Sequence, residues 1–184
     1  MDTTINPWRT LARREMYDND WINVTEHAVV RPDGAHGIYG VVRYKNTAVG
    51  ILPVDHDGSV YLVGQYRYTL QSYSWEIPEG GCAADEDWLA AAQRELAEET
   101  GLHAARWEQM GTAHLSNSVS DEKAVWFLAT ELTPGAAHPD GTEILQVKHV
   151  PLAVALEMIQ TGEITDALSV MALLHYQVGH NSLL

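Results

Sequence analysis

Apolar and polar positions change rhythm twice along the chain. In the first third they form short β-branched and aromatic runs. Residues 21–30 (WINVTEHAVV) and 37–45 (GIYGVVRYK) read as strands joined by the turn Arg31-Pro32-Asp33-Gly34. Residues 47–54 and 60–67 read as a second hairpin around Asp55-His56-Asp57-Gly58. Residues 1–16 follow no period and read as a short helix or an arm, while Pro78 makes 75–80 an extended edge or loop. From 87 to 100 the spacing becomes helical. Leu89, Ala92 and Leu96 form an apolar stripe, the filling is Ala, Leu, Gln and Glu, and Gly101 is placed to close the helix. Strands are predicted again at 106–115, 124–132 and 144–150, then helices at 152–160 and from 166 to about 177, with Thr165 as N-cap. Strands, a helix, strands, then helices give an α+β chain or a layered sandwich.

Composition narrows the class. The 184 residues suit one domain with a short accessory segment, and 46% apolar content is that of a globular chain with a full core. No apolar run reaches the ~18–20 residues that span a bilayer, so no membrane role is expected. The lone Cys82 excludes an internal disulfide and suits a reducing cytoplasm. A formal net charge of −14 argues against a nucleic-acid partner, which calls for basic patches.

The helix at 87–100 carries the chemistry. Glu95, Glu98 and Glu99 crowd its last turn, where the negative end of the helix dipole disfavours carboxylates. Each like-charge neighbour pair costs about 0.2–0.5 kcal/mol even when exposed. A hard divalent cation reverses the sign of those terms. Arg94 is spaced to pair with Glu98 across one turn. Around them the chain reads Gly80, five residues, Glu86, seven residues, then Arg94-Glu95-Leu96-x-Glu98-Glu99-x-Gly101-Leu102.

That spacing resembles the Nudix box of the Nudix hydrolases at every defined position. The resemblance implies the α/β/α sandwich of that family and hydrolysis of a nucleoside diphosphate linked to another group. It implies Glu95, Glu99 and Glu98 as ligands of Mg²⁺, or of Mn²⁺, together with the backbone carbonyl of Glu79. Gly80, Glu86, Arg94 and Gly101 hold turn and helix together. Upstream, Gln65-Tyr66-Arg67 and Trp75-Glu76-x-Pro-x-Gly are similar to the ADP-ribose and nucleoside diphosphate sugar pyrophosphatase branch. That similarity names Arg67 and Glu76 as substrate contacts, and among the N-terminal aromatics Trp21, Tyr17 or Tyr39 is available to stack on a nucleobase. A downstream carboxylate supplies the general base in this branch; Glu143 is the first candidate, with Glu122 and Glu98 as the other catalytic carboxylates. Many ADP-ribose-specific members carry Ser-Pro where this chain has Ser116-Asn117-Ser118, which leaves other nucleoside diphosphate sugars, GDP-mannose among them, open. The expected division is an N-terminal strand segment, 1–46, that dimerises and contacts substrate, and a Nudix domain, 47–184. A homodimer is expected. A triphosphate-sanitising hydrolase and a non-catalytic nucleotide sensor are the alternative functions.

Overall fold

The computed structural model describes residues 5–136 and 144–181. The chain forms two compact bodies, one from the segment up to Asn46 with His114–Lys123, the other from Thr47–Ala113 with the chain from Ala124 onward.

In the first body, β1 (Arg9–Asp18), β2 (Ile22–Val30) and β3 (His36–Tyr44) form an antiparallel sheet in that order. The turn between β2 and β3 is the predicted one. Gly34 takes φ 84°, and its N–H donates to the Arg31 carbonyl at 2.9 Å. The first strand corrects the expected helix or arm. All ten residues of β1 are exposed, so no buried face imposes a period on it. It is held by its pairing with β2, interrupted by two register shifts, and by an Arg14–Glu26 ion pair across the strands. The loop 114–123 lies beside β3, where Tyr39 donates its hydroxyl to the Ser118 carbonyl at 2.6 Å and Arg43 pairs with Asp121 at 3.1 Å.

The second body holds two sheets. One runs β7 (Glu79–Cys82), β4 (Thr47–Pro53), β9 (Lys123–Pro134), β8 (Leu102–His114), with β4 antiparallel to β7 and parallel to β9. The other runs β10 (Gln146–Pro151), β5 (Ser59–Arg67), β6 (Ser72–Glu76). The expected β4–β5 hairpin is therefore not a ladder; the two strands belong to different sheets, bridged only at Val54 and Val60. The reason lies in β4 itself. Val49, Ile51 and Leu52 are fully buried, so both faces of the strand are covered, and β7 and β9 take both of its hydrogen-bonding edges.

Helix α1 (Trp88–Thr100) is capped by Asp87, whose carboxylate accepts from the Leu89 and Ala90 N–H groups, and ends on Gly101 at φ 70°. Its Ala91, Ala92 and Leu96 pack with Val49, Ile51, Val125, Phe127 and Ala129 on one face of the sheet. Helix α3 (Ala167–Asn181) covers the other face. A methyl added at Gly50 would stand 2.8 Å from Leu168 Cδ2 and 2.9 Å from Ile77 Cδ1, so the close approach of helix and strand requires the glycine. This is an α/β/α sandwich. Helix α2 (Leu152–Thr161) stops at Gly162 as expected, but the cap of α3 is Asp166 rather than Thr165, its carboxylate accepting the Ser169 N–H at 2.7 Å. Among the described residues, no helix is long and apolar enough to cross a membrane.

Candidate active site

The last two turns of α1 face β7, and one arginine joins them. Arg94 Nη1 donates to Glu95 at 2.6 Å and to Glu98 at 3.2 Å. Its Nε and Nη2 donate to Glu86 at 3.2 and 3.1 Å, and Nη2 also reaches the Gly81 carbonyl at 3.1 Å. The pairing with Glu98 predicted from helical spacing is thus one contact of five. The bond to Arg94 pulls the Glu86 carboxyl below its usual range, and the Glu86 bond in turn raises the Arg94 pKa. Helix, turn and strand are stapled at one guanidinium.

Gly80 has a steric role. A methyl there would lie well inside contact distance of the Glu95 carboxyl atoms, so β7 approaches the helix closely enough only without a side chain at this position. Glu99 is 3% exposed, and its Oε2 accepts the Glu79 main-chain N–H at 3.0 Å. That bond places the Glu79 peptide against the carboxylate end of α1.

A second cluster adjoins it from β5 and β6. Arg67 Nε donates to both oxygens of Glu76 at 3.0 Å, while Nη2 donates to Glu76 in a closer contact and to Glu79 Oε1 at 2.9 Å. Glu76 is 2% exposed and turned wholly onto Arg67. Burial opposes the charge on Arg67, but its bond to Glu76 and the charges of Glu76, Glu79 and Asp166 outweigh it and raise its pKa. Burial, then the charges of Asp166 and Glu76, push the Glu79 carboxyl well above the usual carboxylate range, against the pull of Arg67. Its Oε2 is buried with no hydrogen-bond partner.

Charge is therefore out of balance here. Glu79 feels Glu76, Glu99 and Asp166, with Arg67 as the opposing cation. An excess of acidic groups around Glu95, Glu98 and the buried Glu99 is what a hard divalent cation relieves, so the residues present fit such a cation.

The structure brings together Glu79, Gly80, Glu86, Arg94, Glu95, Glu98, Glu99 and Gly101, with Arg67 and Glu76 alongside. Trp21, 66% exposed ahead of β2, and Glu122, in the loop 114–123, belong to the first body. Glu143 lies outside the described residues. Sequence reading did not anticipate Asp166 as a charge acting on Glu79. It also missed Asp55, Asp57 and His149, whose ligand atoms lie within 4.8 Å of one another beyond the C-terminal end of β4. β7 pairs with the opposite half of that strand.

Comparison with known proteins bears on the family and the fold. A family model described as the NUDIX domain matches residues 44–170, and one described as the nucleoside diphosphate sugar hydrolase N-terminal domain matches residues 8–42. An ADP-ribose pyrophosphatase of Bacillus subtilis (strain 168) is 29% identical over 172 residues, 92% of either chain. One from Mycobacterium tuberculosis (strain ATCC 25618 / H37Rv) is 33% identical over 133 residues, 69% of this chain and 63% of its own. The methanol dehydrogenase activator of Bacillus methanolicus is 27% identical over 172 residues, 92% of either chain. A solved structure described as an ADP compounds hydrolase superposes with a TM-score of 0.88 at 21% identity, covering 99% of this chain and 98% of that one, a likeness of fold.

Proposed function

The chain belongs to the Nudix family, and on that premise we propose that it is a metal-dependent pyrophosphatase that hydrolyses ADP-ribose or a related nucleoside diphosphate sugar. The products are a nucleoside monophosphate and a sugar phosphate. The observation that carries the reading is the Arg94 staple, which holds Glu95 and Glu98 while Glu99 binds the Glu79 peptide. The ADP-ribose pyrophosphatases among its relatives, and the match of residues 8–42 to a nucleoside diphosphate sugar hydrolase segment, support the substrate class.

Each side chain has a task in this reading. Glu95, Glu98, Glu99 and the Glu79 carbonyl would hold Mg²⁺, with Mn²⁺ as an alternative. When bound, the cation neutralises phosphate oxygens and makes a water a stronger nucleophile. Arg67 offers a guanidinium to the diphosphate, and Glu76 keeps that guanidinium in place. The proton of the attacking water goes to a carboxylate; Glu143 is the proposed base and Glu122 the alternative. We assign Trp21 to stacking on the base or sugar, which its exposure allows.

A homodimer completes the proposal. The first body presents Met16, Tyr17, Trp21 and Ile38 to solvent on a sheet whose edge strand is exposed at every position, and a second copy would cover such a surface. A reducing cytoplasm suits the buried, unbridged Cys82.

The test is Mg²⁺-dependent turnover of ADP-ribose, GDP-mannose, UDP-glucose and dGTP, with products resolved by ion-exchange chromatography and Glu99→Gln as control. Turnover of a diphosphate sugar, lost in the control, is expected. Turnover of dGTP alone would overturn the substrate class, and nucleotide binding without turnover of any compound would overturn the enzymatic reading.

A further inference from the structure

In the proposed metal site Glu79 takes part through its main-chain carbonyl. Its side chain does something separate. Arg67 is held along one edge: Nε by Glu76, and Nη2 by Glu76 and by Glu79 Oε1 at 2.9 Å. Its remaining nitrogen, Nη1, has no hydrogen-bond partner among the described residues, and the side chain is one-third exposed. Two carboxylates on one edge fix the plane of a guanidinium, and the open corner is then directed rather than free to rotate. Glu79 is also tied to α1, because its main-chain N–H donates to Glu99 Oε2.

We infer that the Glu79 carboxylate is a positioning group acting through Arg67, holding the guanidinium so that Nη1 meets a phosphate oxygen of the substrate in register with the carboxylates of α1. The inference rests on the reading of Arg67 as the diphosphate contact. Glu76 alone does not suffice for this role. It grips Arg67 from β6, a neighbour in the same sheet, whereas Glu79 sits on β7, in the sheet that packs on α1. Only the Glu79 contact ties the guanidinium to the strand whose peptide bonds Glu99. Register errors of about 1 Å at a reacting phosphate cost on the order of 10²-fold in rate. A side chain that sets register is therefore worth keeping even where its second oxygen finds no partner.

Charge and position make opposite demands on this residue, and that gives the test its signature. An acidic side chain beside an anion-binding guanidinium adds nothing to the binding of a diphosphate, so its removal leaves that binding no weaker while turnover falls. A residue serving stability alone would not separate the two.

The experiment is a double-mutant cycle on the full chain with Glu79→Ala, Arg67→Ala and the pair, plus Glu79→Gln. Three quantities are read. These are kcat on the best diphosphate sugar, the affinity for a non-hydrolysable α,β-methylene ADP-ribose by calorimetry with Mg²⁺, and Mn²⁺ binding by electron paramagnetic resonance in the absence of nucleotide. Glu79→Ala is expected to lower kcat about tenfold with analogue affinity unchanged or tighter, the range expected for loss of positioning alone. Glu79→Gln keeps an acceptor for Nη2 and recovers most of kcat. Arg67→Ala weakens the analogue by about tenfold or more, and adding Glu79→Ala to it costs nothing further. Mn²⁺ affinity stays within about threefold throughout, because the main-chain contacts of residue 79 are kept.

The inference is overturned if the two losses multiply, if Glu79→Gln is as impaired as Glu79→Ala, or if Mn²⁺ affinity drops with the Glu79 carboxylate, which would make it part of the metal site. If Arg67→Ala leaves both analogue affinity and kcat intact, it is the assignment of Arg67 to the diphosphate that fails first, and the role of Glu79 falls with it.

Discussion

Replacing Gly80 by alanine tests the closeness of β7 to α1 with a single methyl. The backbone at Gly80 is not in the left-handed region, so the substitution brings no conformational strain of its own. Its whole effect is steric: the new carbon would overlap the carboxyl carbon and both oxygens of Glu95. The strand cannot retreat easily, being laddered to β4 through Val49 and Gly50, so Glu95 must swing. Swinging gives up its 2.6 Å bond to Arg94, a charge-assisted contact worth about 1.5–3 kcal/mol where both partners stay dry. Glu95 is mostly buried but Arg94 is over a third exposed, so solvent recovers part of that, and a loss of about 1–2 kcal/mol is expected. Urea denaturation measures it. The larger effect falls on the metal, since a displaced ligand carboxylate or its support costs about 10–100-fold in affinity. Mn²⁺ titration followed by electron paramagnetic resonance reads that directly, without substrate. Shortening the obstructed side chain makes the control: Glu95→Asp weakens the metal by itself but should add little to Gly80→Ala. If Gly80→Ala binds Mn²⁺ within about twofold of the natural chain, the steric argument is wrong.

Other outcomes follow from the same geometry. Glu99→Gln should cut turnover at least about 100-fold while leaving the protein folded, and chelation of the natural chain should abolish activity that Mg²⁺ then restores. Gly50→Ala drives a methyl into Leu168 and Ile77, so it should cost about 1–3 kcal/mol in urea with Mn²⁺ affinity unchanged. Equal damage to metal binding would show that the two faces of β4 are not independent. In chelated protein, Glu79 has a folded pKa above its usual value of 4.5. The folded chain therefore keeps a proton that the unfolded chain has released. This contribution is whole below about 4.5 and is lost as pH rises through the folded value, so stability should fall across that window and Glu79→Gln should flatten the slope. Sedimentation should show a dimer at micromolar concentration, and a chain lacking residues 1–46 should be monomeric.

Most strands, the box helix and the carboxylate cluster of its last turn could be read from the amino-acid order because each depends on neighbours in the chain. The stripe of Leu89, Ala92 and Leu96 and the closing Gly101 define α1 within one stretch, and Glu95, Glu98 and Glu99 share its last turn by helical spacing alone. Where the determining partner is distant, local order was not enough. β1 has no buried face and is a strand because β2 offers it an edge, a fact that its own sequence does not carry. The apolar run of β4 fits a hairpin or a central strand equally well, and the parallel ladder with β9, more than seventy residues away, decided between them. The acidic balance of the site belongs to this second kind. Arg67, Glu76, Glu79 and Asp166 come from β5, β6, β7 and the cap of α3. Only packing sets one guanidinium among them and leaves an oxygen of Glu79 without a partner, because burial strengthens charge interactions that solvent would have screened between the same residues in an open chain.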